Sequence, residues 1–314
     1  MKILIAFFMQ VAVLHGTVVL KDYPGQLGNI FFALAAGVSL AQDNHSPISL
    51  PQIIQGNNPN FFPFQRGSAV QDYFKVVYDR IFSAIPLDSR RFFRTKVYDY
   101  GSPIYAPIPY QPNMEIKGYF QCEKYFKHNS DLIHRCFGIS QPIETYLLKN
   151  FAEIISHPKT VGIHVRTAYT EWKRSGFPPD FYTCWLAPDM EFFRRAIESF
   201  DEDSLFVVCS DRPDWCKKNF QVFNRKFIFV ENQEFIYDFF LLTKCKDLII
   251  AASTFGWWAA YLNENPEKKV LYRNPFLSAN MDQINNIHFK VPEWTAIDMP
   301  PAWPPIPIFE DYEI

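Results

Sequence analysis

The chain has 314 residues, which fits two domains of ordinary size or, as the alternative, one larger α/β domain. Charged residues make up 20% and the formal net charge is −2, so no basic surplus exists for non-specific binding of a nucleic-acid backbone, and a nucleic-acid function is disfavoured. Aromatic residues make up 18%, which indicates large folded cores rather than disorder.

The N-terminus, residues 1–16, carries one lysine followed by an apolar run, the pattern of a secretory signal peptide or a short signal-anchor. The run is short for a membrane span, which needs about 20 residues. A glycosylation sequon at Asn44-His45-Ser46 fits a secretory route, although Pro47 follows it. We therefore predict an anchored or lumenal protein of the secretory pathway. The alternative is a cytoplasmic protein whose apolar run is a buried strand.

After this leader, residues 17–23 are typical of a strand, 24–29 of a glycine loop that contains Gly25 and Gly28, and 29–42 of a helix. A strand, turn and helix in this order open an α/β domain, which we assign to residues 17–141. Most of that range, residues 46–141, has little periodicity and many prolines and aromatics. The sequence does not order its elements.

From residue 142 the pattern becomes regular, with strands and helices in alternation. Strands are predicted at 161–165, 205–209, 227–230, 247–251 and 269–272, and helices at 143–155, 190–200, 215–220 and 235–245. A last helix is predicted to start just after Ser253-Thr254 and to run through Leu262. Such alternation implies parallel strands joined by right-handed crossovers, hence a doubly wound sheet in a C-terminal domain of residues 142–290. Residues 291–314 are rich in proline and are predicted to form an irregular tail.

Polar residues follow several predicted strands, and the carboxyl ends of parallel strands share one edge of a sheet. Arg166 follows the first strand of this domain, and Ser210-Asp211 ends the second. Ser253 and Thr254 occupy the N-cap region of the last helix, whose free N–H groups and dipole suit an anion. An arginine beside a helix N-terminus is the pairing expected for a diphosphate, and Arg166 could stabilise the charge on a departing one.

Each of these residues has an ordinary structural alternative. His164 lies within an apolar strand and could be a core histidine, while Arg166 could be a surface charge. Asp211 could cap a helix, and Asp238 could be a favourable charge near a helix start. The acidic triplet at 201–203 resembles that of metal-dependent sugar transferases, but it precedes a strand, so a solvated turn is favoured. The six cysteines form no CxxC pair, which disfavours a zinc site, and no metal site is predicted.

Five segments, in chain order, carry a family resemblance. They are PGQLGNIFFALAAGVSLA, IKGYFQCEKYF, VGIHVR, VVCSDRPDWCKKNF and DFFLLTKCKDLIIAASTFGWW. Together they resemble the α-1,2-fucosyltransferase family and, more distantly, the α-1,6- and protein O-fucosyltransferases. The match runs over most of residues 17–295, and five pieces in the right order are fairly specific.

The resemblance implies a GT-B-like fold of two facing Rossmann-like α/β domains, with GDP-fucose in the cleft and held mainly by the C-terminal domain. It implies transfer of L-fucose from GDP-fucose to a galactoside hydroxyl, in α-1,2 linkage, with inversion and without a metal or other cofactor. The implied partner is a glycan acceptor with a terminal galactose. The expected location becomes the Golgi membrane, in type II orientation, or the lumen.

The resemblance also implies roles for single residues. Arg166 would hold the diphosphate and assist its departure, and Asn29 matches a loop asparagine that faces the sugar. The residues implied to bind the nucleotide are Gly25, Gly28, His164, Ser210, Asp211, Asp238, Ser253, Thr254 and Phe255. The general base is not identified, with Glu171 and Asp180 as candidates from their position after Arg166.

The sequence departs from the family pattern at two motifs. Thr167 stands where a second arginine is expected and Tyr169 where an aspartate is expected, while Ala252 replaces an asparagine. The missing charge could cost about 1.5–3 kcal/mol of binding unless Lys173 or Arg174 replaces it. Two alternatives therefore stay open: a catalytically inactive sugar-nucleotide or glycan-binding relative, and a glycosyltransferase that uses another donor.

Overall fold

The computed structural model of the protein describes residues 16–21, 26–50, 78–82, 84–85, 95–102, 104–167, 189–277 and 289–300. These residues form two parallel sheets with helices packed on their faces. One sheet lies in each half of the chain.

The N-terminal half contributes a four-stranded sheet in the order β2-β1-β4-β3, with every pairing parallel. Its strands are β1 (Val18–Val19), β2 (Ile48–Ser49), β3 (Lys96–Tyr100) and β4 (Met114–Gly118). Helix α1 (Leu27–Asp43) connects β1 to β2 and is buried from Leu27 to Ala41. Its apolar and small residues surround the whole helix, as expected of a helix with no solvent-facing side.

Two further helices link the halves. Helix α2 (Ser130–Phe137) packs on α1, and helix α3 (Gln141–Ser156) packs against a helix of the C-terminal half. Short turns of 3-10 helix at Glu123–Tyr125 and Lys127–Asn129 precede α2, and a π-helical turn lies at Tyr78–Phe82.

The C-terminal half contributes a six-stranded parallel sheet in the order β10-β9-β8-β5-β6-β7. Its strands are β5 (Thr160–Val165), β6 (Leu205–Ser210), β7 (Lys226–Phe229), β8 (Asp247–Ile250), β9 (Val270–Asn274) and β10 (Thr295–Asp298). The helices between them are α4 (Met190–Glu198), α5 (Pro213–Phe220), α6 (Phe235–Lys244) and α7 (Thr254–Leu262).

The strand order fixes where a ligand site should lie. From β5 the chain adds strands outward on one side, then returns to place β8 on the other side of β5. The switch point of the doubly wound sheet is therefore the crevice between the carboxyl ends of β5 and β8. The predicted α/β class, with parallel sheets in both halves as in GT-B-like folds, is confirmed.

Helices cover the six-stranded sheet on both faces, which explains why β5 is buried along its whole length. Helices α4 and α5 pack over one core, and α6 and α7 belong to the other. This second core continues into α1, where Phe31 stacks on Trp258 at 5.1 Å between ring centroids and Phe32 meets Trp257 at 4.6 Å. The packing of α1 on α7 joins the two sheets.

The structure corrects two predictions. Helix α1 begins at Leu27, two residues before the predicted start, so Gly28 lies in its first turn rather than in a loop. There Gly28 lies directly against the backbone of α7. Residues Thr295–Asp298 form the edge strand β10, paired with β9, where an irregular tail was predicted. The prolines flank these four residues without interrupting them, so they can join the ladder.

Residues 1–15 of the predicted leader, which spans residues 1–16, lie outside the described residues, so the signal or anchor stays a prediction. No helix in the described part of the chain has the length and apolarity to cross a membrane. The five cysteines that the structure describes are buried and free: Cys122, Cys136, Cys209, Cys216 and Cys245.

Candidate functional site

The carboxyl ends of the central strands bring the predicted residues together. In register, His164 of β5 pairs with Cys209 of β6 and with Ile250 of β8. The residues that follow these positions, including Arg166, therefore leave the sheet side by side at the switch point. This placement matches the edge that the sequence predicted.

Arg166 is held between two partners. Its Nη1 lies 3.2 Å from Asp211 Oδ2, and its Nη2 donates to Gln26 Oε1 at 3.1 Å. Asp211 in turn accepts from the Thr167 backbone N–H at 2.8 Å and from Thr167 Oγ1 at 3.1 Å. Because Gln26 is the N-cap of α1, Arg166 ties the six-stranded sheet to the first helix of the N-terminal half. Asp211 is engaged by these two residues rather than by a helix cap.

The N-termini of α1 and α7 meet beside Arg166. A Cβ atom placed on Gly28 would lie 2.5 Å from Thr254 C and 2.6 Å from the Phe255 backbone nitrogen, so only glycine permits this approach. Ser253 is the N-cap of α7, as predicted, and its Oγ accepts from the Phe255 N–H at 3.3 Å. That N–H is therefore capped rather than free. The positive ends of two helix dipoles and one guanidinium still converge at this corner, which favours an anion.

His164 contributes a neutral ring to the site. Burial, followed by the nearby charge of Arg166, lowers the pKa of His164 to about 3. Its ring stacks on Phe255 with centroids 4.6 Å apart. Its Nδ1 is buried without a hydrogen-bond partner in the described part of the chain. The ring is therefore uncharged near neutral pH, and its observed contact is the packing on Phe255.

Asp238 lies in the first turn of α6, after β7 at the same edge of the sheet. Burial raises the pKa of Asp238 to about 7, and Oδ1 is buried with no hydrogen-bond partner among the residues that the structure describes. A carboxylate left in this state is stabilised by a ligand that donates hydrogen bonds to it.

Asn29 is 92% buried and reaches the same corner from α1, and its backbone N–H donates to Gln26 O at 2.9 Å. Its Oδ1 accepts from Gln121 Nε2 at 2.7 Å. Sequence reasoning did not single out Gln121, although the residue stands in the segment IKGYFQCEKYF that carries part of the family resemblance. Its position in this segment was the sequence signal that could have identified Gln121 as a site residue.

The remaining predicted residues divide into two groups. Ser210 Oγ accepts from the Arg212 N–H at 3.0 Å, so it shapes the turn after β6. Outside the described residues lie Gly25, Tyr169, Glu171, Lys173, Arg174 and Asp180.

The acidic triplet lies at the opposite edge of the sheet. The triplet forms an exposed turn, as predicted, and Lys159 Nζ donates to Asp201 Oδ2 at 2.8 Å and to Asp203 Oδ1 at 2.9 Å. Within the described ranges, no group of three His, Cys, Asp or Glu side chains could hold a metal ion. Two cavities, of about 240 Å³ and about 560 Å³, are lined by residues such as His134, Asn263 and Glu264, away from the strand ends that carry Arg166.

Comparison with known proteins agrees with the resemblance. The profile of Glycosyl transferase family 11 matches residues 106–298. Human galactoside alpha-(1,2)-fucosyltransferase 1 is 28% identical over 238 residues, which cover 69% of this chain and 62% of the human protein. The O-antigen biosynthesis glycosyltransferase WbnK of Escherichia coli is 29% identical over 164 residues, 49% of each chain.

The chain thus spans less than two thirds of the length of these relatives. Among solved structures, POFUT1 in complex with GDP aligns with a TM-score of 0.48 and 12% identity, covering 82% of this chain and 98% of that one. The suspected family is confirmed by the profile, which covers more than half of the sequence. The chain belongs to glycosyl transferase family 11.

Proposed function

We propose that this protein transfers L-fucose from GDP-fucose to a galactoside hydroxyl, in α-1,2 linkage, with inversion and without a metal. The observation that carries the proposal is the position of Arg166 at the switch point of the sheet, beside the N-termini of α1 and α7. The galactoside and α-1,2 specificities come from the name of the human relative, which is a galactoside alpha-(1,2)-fucosyltransferase.

The diphosphate of the donor would bind at Arg166. A guanidinium has five N–H donors, and the contacts to Asp211 and Gln26 leave donors free for phosphate oxygens. When the bond to fucose breaks, negative charge builds on the diphosphate, and a guanidinium already held in place stabilises that charge without reorganising. The adjacent helix dipoles add to the same field.

The guanine base would bind at Asp238. Guanine carries N–H donors on its Watson–Crick edge, and a buried carboxylate oxygen without a partner is the group that such donors satisfy. Phe255 and His164, stacked on each other near this edge, offer flat apolar surface beside it. Because guanine carries N–H donors on its Watson–Crick edge, a site with this carboxylate favours GDP over nucleotides whose bases lack such donors.

The replacement of the second arginine by Thr167 has a structural consequence that supports activity. Thr167 holds Asp211 through two hydrogen bonds, and Asp211 in turn contacts Arg166. The site then has one guanidinium in a fixed position rather than two. We infer a single-arginine variant of the family site, with the inactive relative as the second candidate.

The acceptor would bind on the side of the four-stranded sheet. We propose that residues 17–141 form this side and residues 142–290 the donor side. An acceptor hydroxyl that attacks from the face opposite the diphosphate inverts the anomeric carbon in one displacement. We also propose a secretory location, on the basis of the leader pattern in residues 1–16.

The test is incubation of purified protein with GDP-fucose and a panel of galactosides, in the presence and absence of EDTA, with the product linkage determined by NMR. We expect an α-1,2-fucosylated galactoside and the same rate with EDTA. Transfer from GDP-mannose or UDP-sugars alone would contradict the donor. Tight binding of GDP without transfer or donor hydrolysis would instead support the inactive relative.

A further inference from the structure

A strained turn follows β4 at the carboxyl edge of the four-stranded sheet. Gly118 has φ +152°, and Phe120, which is not a glycine, has φ +47°. A left-handed backbone at a bulky residue costs on the order of 1–3 kcal/mol and persists only where the surroundings enforce it. Here Phe120 is 4% exposed and packs edge-on against Tyr125, and its carbonyl accepts from the Cys122 N–H at 2.7 Å.

The turn aims one side chain at α1. It leaves Tyr119 half exposed, while Gln121 extends to Asn29 and donates from Nε2 to Oδ1 at 2.7 Å. Asn29 lies in the first turn of α1, and its backbone N–H is bonded to the carbonyl of the N-cap Gln26, whose side chain accepts from Arg166. The strained turn therefore ends in a hydrogen bond at the corner where Arg166 lies.

This hydrogen bond decides the polarity of Asn29. A side-chain amide has an accepting end and a donating end, and the accepting Oδ1 is occupied by Gln121. The donating Nδ2 is the end that remains for a ligand. The Arg166 guanidinium and the positive ends of two helix dipoles already converge at this corner, so an outward N–H adds to a field that favours an anionic ligand. An outward carbonyl would oppose that field.

We propose that Gln121 is a positioning residue that fixes Asn29 with Nδ2 directed at an oxygen of the bound sugar nucleotide. The proposal rests on the proposed function, since the ligand that Nδ2 would contact is the GDP-fucose proposed to bind beside Arg166. In this role Asn29 is a hydrogen-bond donor that stabilises developing charge and not a base.

The polarity is tested with two variants of similar shape. Glutamate at position 121 can only accept, so Gln121→Glu turns the amide of Asn29 around and presents Oδ1 to the donor. Gln121→Met removes the hydrogen bond and leaves the amide free to rotate. At saturating GDP-fucose we expect kcat to fall about 100-fold in Gln121→Glu and about 10-fold in Gln121→Met, as for loss of a transition-state donor.

A purely structural role predicts the reverse order, because Gln121→Glu keeps a hydrogen bond to Asn29 and Gln121→Met does not. Equal or higher kcat in Gln121→Glu than in Gln121→Met would therefore overturn the proposal. Thermal midpoints close to wild type show that both variants fold. The dissociation constant for GDP, expected to stay within about threefold, separates a catalytic effect from weaker binding due to the added charge.

A second measurement does not depend on catalysis. In ¹⁵N-labelled protein, signals of the two side-chain amides are assigned by their disappearance in Asn29→Asp and Gln121→Glu. We expect the Gln121 amide protons to be protected from solvent exchange in the free protein, and exchange of the buried Asn29 amide protons to slow further when GDP-fucose binds. Exchange of the Asn29 amide protons that GDP-fucose leaves unchanged would overturn the proposed polarity. Absence of fucose transfer by the wild type would contradict the function instead.

Discussion

The carboxyl edges of the two sheets differ in how their polar side chains are satisfied. At the edge of the six-stranded sheet, Asp238 Oδ1 and His164 Nδ1 are buried without a hydrogen-bond partner in the part of the chain described. At the edge of the four-stranded sheet, Ser49 Oγ lacks a partner as well, but the ionisable and amide side chains there form pairs within the described residues. Gln121 donates to Asn29, and the loop-side Lys21 donates to Glu115 at 2.5 Å.

The difference indicates that the two halves of the chain have different roles in ligand binding. A buried polar atom without a partner costs about 1–3 kcal/mol, and a protein tolerates that where a ligand later supplies the partner. We infer that the unpartnered carboxylate of Asp238 marks a ligand side at the six-stranded edge, while pairs such as Gln121 with Asn29 support it from the four-stranded edge. Arg166 connects the two edges, because it contacts Asp211 after β6 of the six-stranded sheet and Gln26, the N-cap of α1, in the N-terminal half.

The largest effect is expected from Arg166, where the two edges meet. Arg166→Ala should lower kcat/KM for GDP-fucose by about 10²–10³, because it removes a held cation from the developing charge. Arg166→Lys should retain part of the rate, since lysine keeps the charge but loses the planar fork. Steady-state kinetics measure both.

The matched control is Arg194→Ala, on the solvent-facing side of α4, where the arginine pairs only with Glu191 and Glu198 among the described carboxylates. It should keep kcat/KM within about twofold, as is usual for a surface substitution. Similar decreases of kcat/KM in Arg166→Ala and Arg194→Ala would show that Arg166 is not part of the donor site.

Substitutions at two glycines of α1 test whether the close packing of α1 on α7 is required for GDP binding. Gly28→Ala places a methyl group 2.5 Å from the backbone of Thr254, which cannot give way, and should lower the free energy of unfolding by about 1–3 kcal/mol and weaken GDP binding. In Gly37→Ala the new methyl group meets the flexible side chain of Leu20. The second variant should bind GDP as the wild type does. Equal binding by both, measured by calorimetry, would show that the contact does not shape the site.

The carboxyl group of Asp238 predicts a pH dependence of donor binding. Burial raises the pKa of Asp238 from 3.8 to about 7. The protonated carboxyl therefore contributes to the free energy of unfolding fully below pH 3.8, and this contribution is lost as the pH rises through about 7. A donor that pairs with the ionised carboxylate must displace the proton, so affinity for GDP-fucose should rise about tenfold from pH 6 to pH 8. His164, with a pKa of about 3, stays neutral throughout.

Asp238→Asn is the control for this dependence, since an amide has no proton to lose in that range. The affinity of the variant for GDP-fucose should be flat between pH 6 and pH 8. A slope that survives in Asp238→Asn would assign the titration to another group. GDP-fucose is the suitable ligand because its diphosphate, esterified at both ends, does not titrate there.

The smallest effect is expected at Thr167, which acts through Asp211. Thr167→Val removes the bond from Oγ1 and keeps the one from the backbone N–H. The loss of one hydrogen bond is worth about 0.5–1.5 kcal/mol, which corresponds to a decrease of kcat/KM of about tenfold or less. A loss as large as that of Arg166→Ala would mean that Thr167 contacts the substrate itself.

The same two regions differ in how far the sequence predicted them. The strands and helices from residue 142 to 277 were predicted within a few residues, because covered parallel strands give continuous apolar runs such as that of β8. Residues 46–141 gave no such signal. Their strand β3 is a partly exposed edge strand, and β2 has only two residues.

The candidate site was predictable where local sequence determines the position, as for Arg166 at a strand end and Ser253 at a helix cap. It was not predictable where the partner is distant in sequence. The contact of Gly28 with Thr254 joins residues far apart in the chain, and Gln121 meets Asn29 across 92 positions. Strand β10 was missed because prolines on either side of it masked four strand-forming residues.

The central claim is that the donor diphosphate binds where β5 ends between the N-termini of α1 and α7. A crystal structure of the protein with GDP tests it most directly. We predict phosphate oxygens within hydrogen-bond distance of the Arg166 guanidinium and the guanine edge against Asp238 Oδ1. GDP bound instead in the cavities lined by His134, Asn263 and Glu264, with Arg166 unchanged, would contradict the account.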